Sequence, residues 1–104
     1  MIDLDAAAFA ELITTPDVIL LDVRTPEEFL ESHIPGSLNI DFYGEYFLPD
    51  LAVLDRSKRY AIYCRSGKRS GDSCQIMAEF GFNDLYNLRG GIIEWVESNL
   101  QVTK

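Results

Sequence analysis

The sequence predicts an α/β fold in which a mainly parallel sheet carries helices on both faces. Two apolar runs rich in β-forming residues, 18–21 and 59–63, have the pattern of buried parallel strands. A helix pattern follows each run, beginning at Thr25 and at about Arg69. Strands that alternate with helices in this way build a parallel sheet covered on both sides. Ligands of such sheets bind beyond the carboxyl ends of the strands.

The first quarter of the chain contains a helix, a strand and a second helix. Apolar residues at helical spacing predict the first helix over residues 5–13, and Pro16 lies beyond its end. The strand at 18–21 follows. Thr25, Pro26 and Glu28 then form the sequence pattern of a capping box with proline in the first turn, which predicts a short second helix.

The remaining elements follow in order. Residues 37–40 are predicted as a strand, and the aromatic-rich stretch 42–54 is predicted to form short helical pieces. After the strand at 59–63, a helix is expected over about 69–80, ending at a glycine. A last strand at 85–87 precedes a glycine turn and a final amphipathic helix over 92–100.

Composition restricts the class of protein. A chain of 104 residues predicts one domain, spanning 1–104. Apolar residues make up 47% and charged residues 25%, as in globular proteins. The net charge of −8 argues against nucleic acid and anionic lipid as partners. No apolar run is long enough to span a bilayer, and residues 1–5 are acidic where a signal peptide is basic, so we expect a cytoplasmic location without membrane attachment.

The chain has two cysteines, Cys64 and Cys74, and one histidine, His33. They lack the C-x-x-C spacing of zinc and redox sites, so we expect no metal and no disulfide framework. Cys74 falls inside a predicted helix, where packing explains it. His33 precedes a Pro-Gly turn and is predicted to be structural, although a role as general base is the alternative.

Cys64 is predicted to be a nucleophile because it falls between a strand and the start of a helix. Unpaired backbone N–H groups and the helix dipole favour thiolate at that position. Three cations add positive charge, and two small residues allow a tight curl. A buried structural cysteine is the alternative. The loop consists of Cys64, Arg65, Ser66, Gly67, Lys68 and Arg69.

The length of this loop separates two chemistries. The active loop of cysteine-based phosphatases has the pattern C-x5-R, in which an arginine lies six positions after the cysteine. Here Ser70 occupies that position and the arginine comes one residue earlier, at Arg69. A shorter loop makes a smaller cradle, which suits one sulfur atom better than a phosphoryl group with three oxygens.

Four segments, taken in order along the chain, resemble a single-domain rhodanese, which is a sulfurtransferase. The match extends over roughly residues 2–97. The segments are DVRTPEEF at 22–29, HIPGSLNI at 33–40, YCRSGKRS at 63–70 and LRGGIIEW at 88–95.

The resemblance implies a five-stranded parallel sheet and a persulfide intermediate on Cys64. It implies that the amides of residues 65–69 hold the persulfide and that Arg65, Lys68 or Arg69 holds an anionic donor. We expect the donor to be a small sulfur anion such as thiosulfate and the acceptor to be a thiol or a protein cysteine, with no cofactor.

The same resemblance implies structural roles for Asp22 and Arg24, which we expect to pair and to brace the strand ends. The Gly90-Gly91 pair is interpreted as a tight turn. The chain departs from the family in the aromatic stretch 42–54, which is interpreted as core, with a pocket or a partner surface as the alternative.

The expected function is therefore transfer of sulfane sulfur through Cys64. Two other classes stay open at this point. One is a rhodanese-like module used for binding or regulation, with 42–54 as the docking segment. The other is a cysteine-based phosphatase or arsenate reductase, against which Ser70 weighs.

Overall fold

A computed structural model describes residues 1–104 and contains five strands and five helices. None of the helices has the length and apolar character that a bilayer crossing requires. In chain order the elements are β1 (Ile2–Leu4), α1 (Ala6–Leu12), β2 (Val18–Asp22), α2 (Pro26–Glu31), β3 (Leu38–Asn39), α3 (Phe47–Ala52), β4 (Arg59–Tyr63), α4 (Lys68–Glu79), β5 (Asp84–Leu88) and α5 (Gly91–Glu97).

The five strands form one sheet in the order β1-β5-β4-β2-β3, and every pairing is parallel. β4 lies at the centre, with Ile62 opposite Leu21 of β2 and Asn87 of β5. The predicted parallel α/β sheet is therefore confirmed. Its central strand ends at Tyr63, so the residue that follows lies at the carboxyl edge of the sheet.

The two faces of the sheet are covered by different helices because β4 side chains alternate between them. Tyr60 and Ile62 belong to an apolar cluster that also contains Met77 of α4. Ala61 and Tyr63 belong to the opposite cluster, whose largest members include side chains of α1 and α5. Helices on both faces are thus confirmed, and each face has its own buried core.

The helix starts follow the local sequence. The Asp5 side chain accepts a hydrogen bond from the Ala8 amide at 2.9 Å and caps α1. At α2 the predicted capping box is present: Thr25 Oγ1 accepts from the Glu28 amide, and Glu28 Oε1 accepts from the Thr25 amide at 3.0 Å. Short-range hydrogen bonds of this kind are readable from spacing alone.

The first strand, β1, is the element that the local patterns do not predict. It has three residues, and Ile2 is 54% exposed, so it lacks a continuous apolar run. Its register is set by β5, with Ile2 opposite Tyr86 and Leu4 opposite Leu88. The strand exists because a partner more than eighty residues away offers free backbone groups, and no local pattern encodes that.

The aromatic stretch 42–54 divides into a packed and an exposed part. Phe47 is buried at the start of α3, and Phe42 packs against the same apolar cluster. Tyr43 and Tyr46 are 70% and 65% exposed. The interpretation of this stretch as core is right for the phenylalanines and wrong for the two tyrosines.

Candidate active site

Cys64 is the first residue after β4, at the carboxyl edge of the sheet. The alternation of β4 places it on the α4 face, in the apolar cluster that contains Tyr60 and Ile62. The residue is only 1% exposed. Almost none of the Cys64 side chain therefore faces solvent.

Gly67 closes that loop onto the sulfur. Its backbone has a φ of 99°, and its N–H donates to Cys64 Sγ over 3.1 Å. A Cβ atom at this position would lie 2.1 Å from the carbonyl oxygen of Arg89. Only glycine fits, because both the positive φ and the contact exclude a side chain.

The other amides of the loop are free. Those of Arg65, Ser66, Lys68 and Arg69 donate to no backbone carbonyl. They stand at the N-terminal end of α4, whose dipole favours negative charge. Of the amides that the sequence implicates, one contacts the Cys64 sulfur and four have free N–H groups beside it.

The start of α5 holds the loop from the other side. The Ile92 amide donates to the Cys64 carbonyl over 3.0 Å, and the Ile93 amide donates to the Arg65 carbonyl over 3.3 Å. Gly91 has a φ of 64°, and a Cβ there would lie 2.1 Å from the Arg65 oxygen. The glycine pair is therefore more than the tight turn that the sequence indicates, because it also lets α5 approach the loop.

The loop cations differ in what they contact. Arg69 forms two parallel hydrogen bonds with Glu28 of α2, at 2.9 and 3.1 Å, and its guanidinium lies 5.6 Å from the Tyr43 ring centre. The hydrogen bond from Arg69 is the largest of the effects that lower the pKa of Glu28 to about 2. The same bond raises the pKa of Arg69. Much of the Arg69 charge is thus neutralised.

Lys68 and Arg65 lie at the surface. Lys68 Nζ is 3.4 Å from Asp72 one helical turn later, and its side chain is 82% exposed. Arg65 forms no ion pair. Ser66 is exposed and forms no side-chain hydrogen bond. Arg65 is therefore the loop cation that no carboxylate contacts.

Arg65 also lines the largest cavity, a groove of about 550 Å³ between α2 and α5. Cys64 does not line this groove, although its neighbours Arg65 and Ile92 do. The remaining lining residues are Arg24, Glu28, Glu31, Ser32, Ile93, Val96 and Glu97.

Asp22 and Arg24 form the pair that the sequence leads us to expect. Arg24 Nη2 donates to Asp22 Oδ2 at 2.7 Å and to the Ser32 carbonyl at 2.6 Å. Burial is the largest single effect and opposes the charge of Arg24, but the hydrogen bond and charge of Asp22, together with smaller contributions from Tyr63 and Glu28, raise the pKa of the guanidinium. The Asn39 side chain donates to the backbone carbonyls of both residues. This network joins β2, β3 and the end of α2, and contacts no loop residue.

Three residues near Cys64 lie outside the predicted site. Ser70 Oγ is 3.4 Å from Cys64 Sγ and 2.5 Å from Asn87 Oδ1. Asn87 Nδ2 donates to Asp3 Oδ1 at 2.9 Å. The sequence offered one signal for this network, which is the polar Asn87 inside the buried strand β5. The partners of Asn87 could not be predicted, because they lie on α4 and β1 and are distant in sequence.

Cys74 and His33 have the surroundings predicted for structural residues. Cys74 is fully buried within α4, and burial raises the pKa of its thiol to about 12. The His33 ring stacks on Phe29, and its Nδ1 is 2.9 Å from the Phe29 carbonyl. The His33 backbone forms an isolated antiparallel bridge with Thr103.

The fold and the site define a class: α/β domains that present a cysteine in a six-residue amide loop at the edge of a five-stranded parallel sheet. A family model for the rhodanese-like domain matches residues 5–98. The chain therefore belongs to the rhodanese-like domain family.

Known relatives include enzymes of more than one kind. A sulfurtransferase of Allochromatium vinosum is 33% identical over 102 residues, covering 96% of this chain and 92% of the relative. A thiosulfate:glutathione sulfurtransferase of Saccharomyces cerevisiae is 30% identical, covering 78% and 66%. A tRNA uridine(34) hydroxylase of Nitrobacter winogradskyi is 35% identical, and this chain covers 38% of its length.

A solved structure has the same fold. The crystal structure of a rhodanese-related protein from Thermoplasma volcanium superimposes with a TM-score of 0.86 at 30% identity, covering 99% of this chain and 98% of that one.

Proposed function

We propose that the protein is a sulfurtransferase that carries sulfane sulfur as a persulfide on Cys64. The observation that carries the proposal is the Gly67 N–H at 3.1 Å from Cys64 Sγ, with four unpaired amides around it. Such a set of donors stabilises negative charge on one or two sulfur atoms. Relatives named sulfurtransferases that cover most of the chain support the same chemistry.

The reaction has two steps. Cys64 thiolate attacks the outer sulfur of a donor, the donor's S–S bond breaks, and with thiosulfate the leaving group is sulfite, which takes the electron pair. The persulfide Cys64–S–S⁻ stays in the amide loop. A nucleophile then attacks the outer sulfur and regenerates the thiolate. Cyanide would leave as thiocyanate, and a thiolate would leave as its own persulfide.

A small anionic donor and a thiol acceptor suit this site. Arg65 is the loop cation without an ion pair, so it is our candidate for binding thiosulfate. The acceptor is a thiol or a protein cysteine, and the name of the yeast relative includes one such thiol, glutathione. No step requires a metal or an organic cofactor.

The phosphatase and arsenate reductase alternative has less support. Ser70 occupies the position of the phosphatase arginine, and Arg69 is engaged by Glu28 in a two-point contact. The binding-module alternative has one supporting feature, the exposed Tyr43 and Tyr46.

Intact mass after thiosulfate treatment tests the proposal. We expect the wild type to gain one sulfur atom and to lose it on addition of cyanide with formation of thiocyanate. Cys64→Ser should gain none, and Cys74→Ser should behave as the wild type. The proposal is contradicted if the wild type gains no sulfur or if Cys64→Ser gains as much as the wild type. A wild type that gains no sulfur favours the binding module.

A further inference from the structure

A hydrogen-bonded chain, exposed at its Asp3 end and buried at Asn87 and Ser70, runs from the first strand to the Cys64 sulfur. It passes from Asp3 on β1 through Asn87 on β5 to Ser70 in the first turn of α4, with contacts of 2.9 Å and 2.5 Å. Ser70 Oγ then lies 3.4 Å from Cys64 Sγ. Ser70 is fully buried and Asn87 is 4% exposed, so both must satisfy their polar atoms within the protein.

The orientation of the Asn87 amide follows from its neighbours. Its Nδ2 lies 2.9 Å from the Asp3 carboxylate and 3.3 Å from the Gly67 carbonyl, and both of these groups accept hydrogen bonds. The amide nitrogen must therefore point toward them. Its oxygen is left facing Ser70, where it can only accept.

Ser70 consequently has one proton and two acceptors. When Cys64 is a thiol, the Ser70 hydroxyl donates to Asn87 Oδ1, and its oxygen can accept the weak S–H donor. When the sulfur is anionic, a hydrogen bond from the hydroxyl to sulfur is charge-assisted and stronger. Donation to sulfur leaves Asn87 Oδ1 without its donor, so the two acceptors compete.

We propose that Ser70 stabilises the anionic Cys64 sulfur with this shared proton, and that Asn87 and Asp3 are positioning residues that restrain it. Asn87 competes for the proton, and Asp3 holds Asn87 in the competing orientation. The chain thereby sets how readily Cys64 carries negative charge as thiolate and, if the proposed function is right, as persulfide. Rhodanese chemistry at Cys64 then depends on a residue of the outermost strand.

Charged side chains near a thiol also shift its alkylation midpoint, so the main test leaves them unchanged. They belong to the elements packed around the loop. On the loop and α4 they are Arg65, Lys68 and Arg69; on the other elements they are Glu28 of α2, the Asp22–Arg24 pair of β2, Asp3 of β1, Arg89 after β5 and Glu94 of α5. None is altered by substitutions at Ser70 or Asn87, which are uncharged.

The test is a double-mutant cycle of Ser70→Ala and Asn87→Leu. For each variant, iodoacetamide alkylates the protein over a range of pH, and peptide mass mapping gives the pH at which alkylation of Cys64 is half-maximal, which is the midpoint. We expect Ser70→Ala to raise the midpoint by about one pH unit, a tenfold loss of thiolate at fixed pH. Asn87→Leu removes the competitor and should lower the midpoint by about half a unit. In the Ser70→Ala background, Asn87→Leu should have no effect, because it acts through Ser70.

Three results overturn the proposal. They are a Ser70→Ala midpoint that falls or stays unchanged, an Asn87→Leu midpoint that rises or stays unchanged, and an equal Asn87→Leu shift in the two backgrounds. A merely structural role for Asn87 would change folding, checked by circular dichroism, without this dependence on Ser70. Alkylation does not require sulfur transfer, so the result stands whether or not Cys64 forms a persulfide.

Asp3 provides a second test if Asn87→Leu does not fold. Asp3 is exposed at the edge of the sheet, so its substitution spares the core. Asp3→Ala should lower the midpoint more in the wild type than in the Ser70→Ala background, where only the loss of its negative charge acts on the sulfur. Asp3→Asn is the matched control, since it keeps an acceptor oxygen for Asn87 and should shift the midpoint less. An equal shift by both Asp3 variants contradicts the positioning role.

Discussion

The two cysteines are ten positions apart, equally buried and members of the same apolar cluster, yet their surroundings differ in one respect. Cys64 precedes α4 and has the Gly67 N–H and the Ser70 hydroxyl within reach of its sulfur. Cys74 lies inside α4 and has no hydrogen-bond donor, and burial raises the pKa of its thiol to about 12. Burial alone therefore does not distinguish the two cysteines; the hydrogen-bond donors around the sulfur do.

The largest expected difference between Cys64 and Cys74 is in their rates of alkylation. With its pKa near 12, Cys74 is a thiolate about one time in ten thousand at pH 8, roughly a thousandfold less than an ordinary thiol. Because burial raises the pKa, its alkylation rate should climb with pH through 8–10 without a plateau. Cys64 should be labelled first at every pH. Equal labelling of the two cysteines in the folded protein would remove the distinction between them.

Two glycines test whether the loop geometry produces that difference. Gly67→Ala should destabilise the fold by about 2–4 kcal/mol and slow Cys64 labelling, because the new Cβ meets the Arg89 carbonyl at a strained φ. Urea unfolding and alkylation measure the two effects.

Gly71→Ala is the matched control, one turn later in α4. Its nearest neighbour would be Asn87 Nδ2 at an ordinary 3.6 Å, and alanine at a helical position should stabilise by about 0.5–1 kcal/mol. Similar losses of stability for the two variants would mean that the contact at Gly67 does not shape the loop.

The smallest effect concerns the ion pair between Arg69 of α4 and Glu28 of α2. This pair lies on the Cys64 loop, and Cys74 has no such pair beside it. The pKa of Glu28 falls from its ordinary 4.5 to about 2 on folding, so its contribution is full above pH 4.5 and disappears as the pH falls toward 2. Since Glu28 is 28% exposed, we expect about 1–2 kcal/mol after solvent screening.

Acid unfolding of Glu28→Gln measures that contribution. The variant should lose stability at pH 6 and show a shallower decline between pH 4.5 and 2. Glu31→Gln, at an exposed residue of the same helix that forms no ion pair, should leave both unchanged. An unchanged acid profile in Glu28→Gln would show that the Arg69 contact adds nothing to the fold.

The parts of the fold that could be predicted depend on neighbours along the chain. The capping box of Thr25 and Glu28 and the buried run of β4 involve residues within a few positions of one another. The location of Cys64 between a strand and a helix follows from the same local patterns. β1 could not be predicted, because it depends on pairing with β5 and carries no apolar run of its own.

The sequence by itself determined the α/β fold, the family and the position of Cys64 in a loop too short for the phosphatase pattern. Only the tertiary structure decided which loop cation is free, because Arg69 finds Glu28 forty-one residues away. It also decided that Asp3, which is eighty-four residues from Asn87 in sequence, has its Oδ1 atom 2.9 Å from Asn87 Nδ2. The physical reason is that caps and periodicities act over one or two turns, whereas the groups around a buried sulfur are assembled by the order of strands in the sheet.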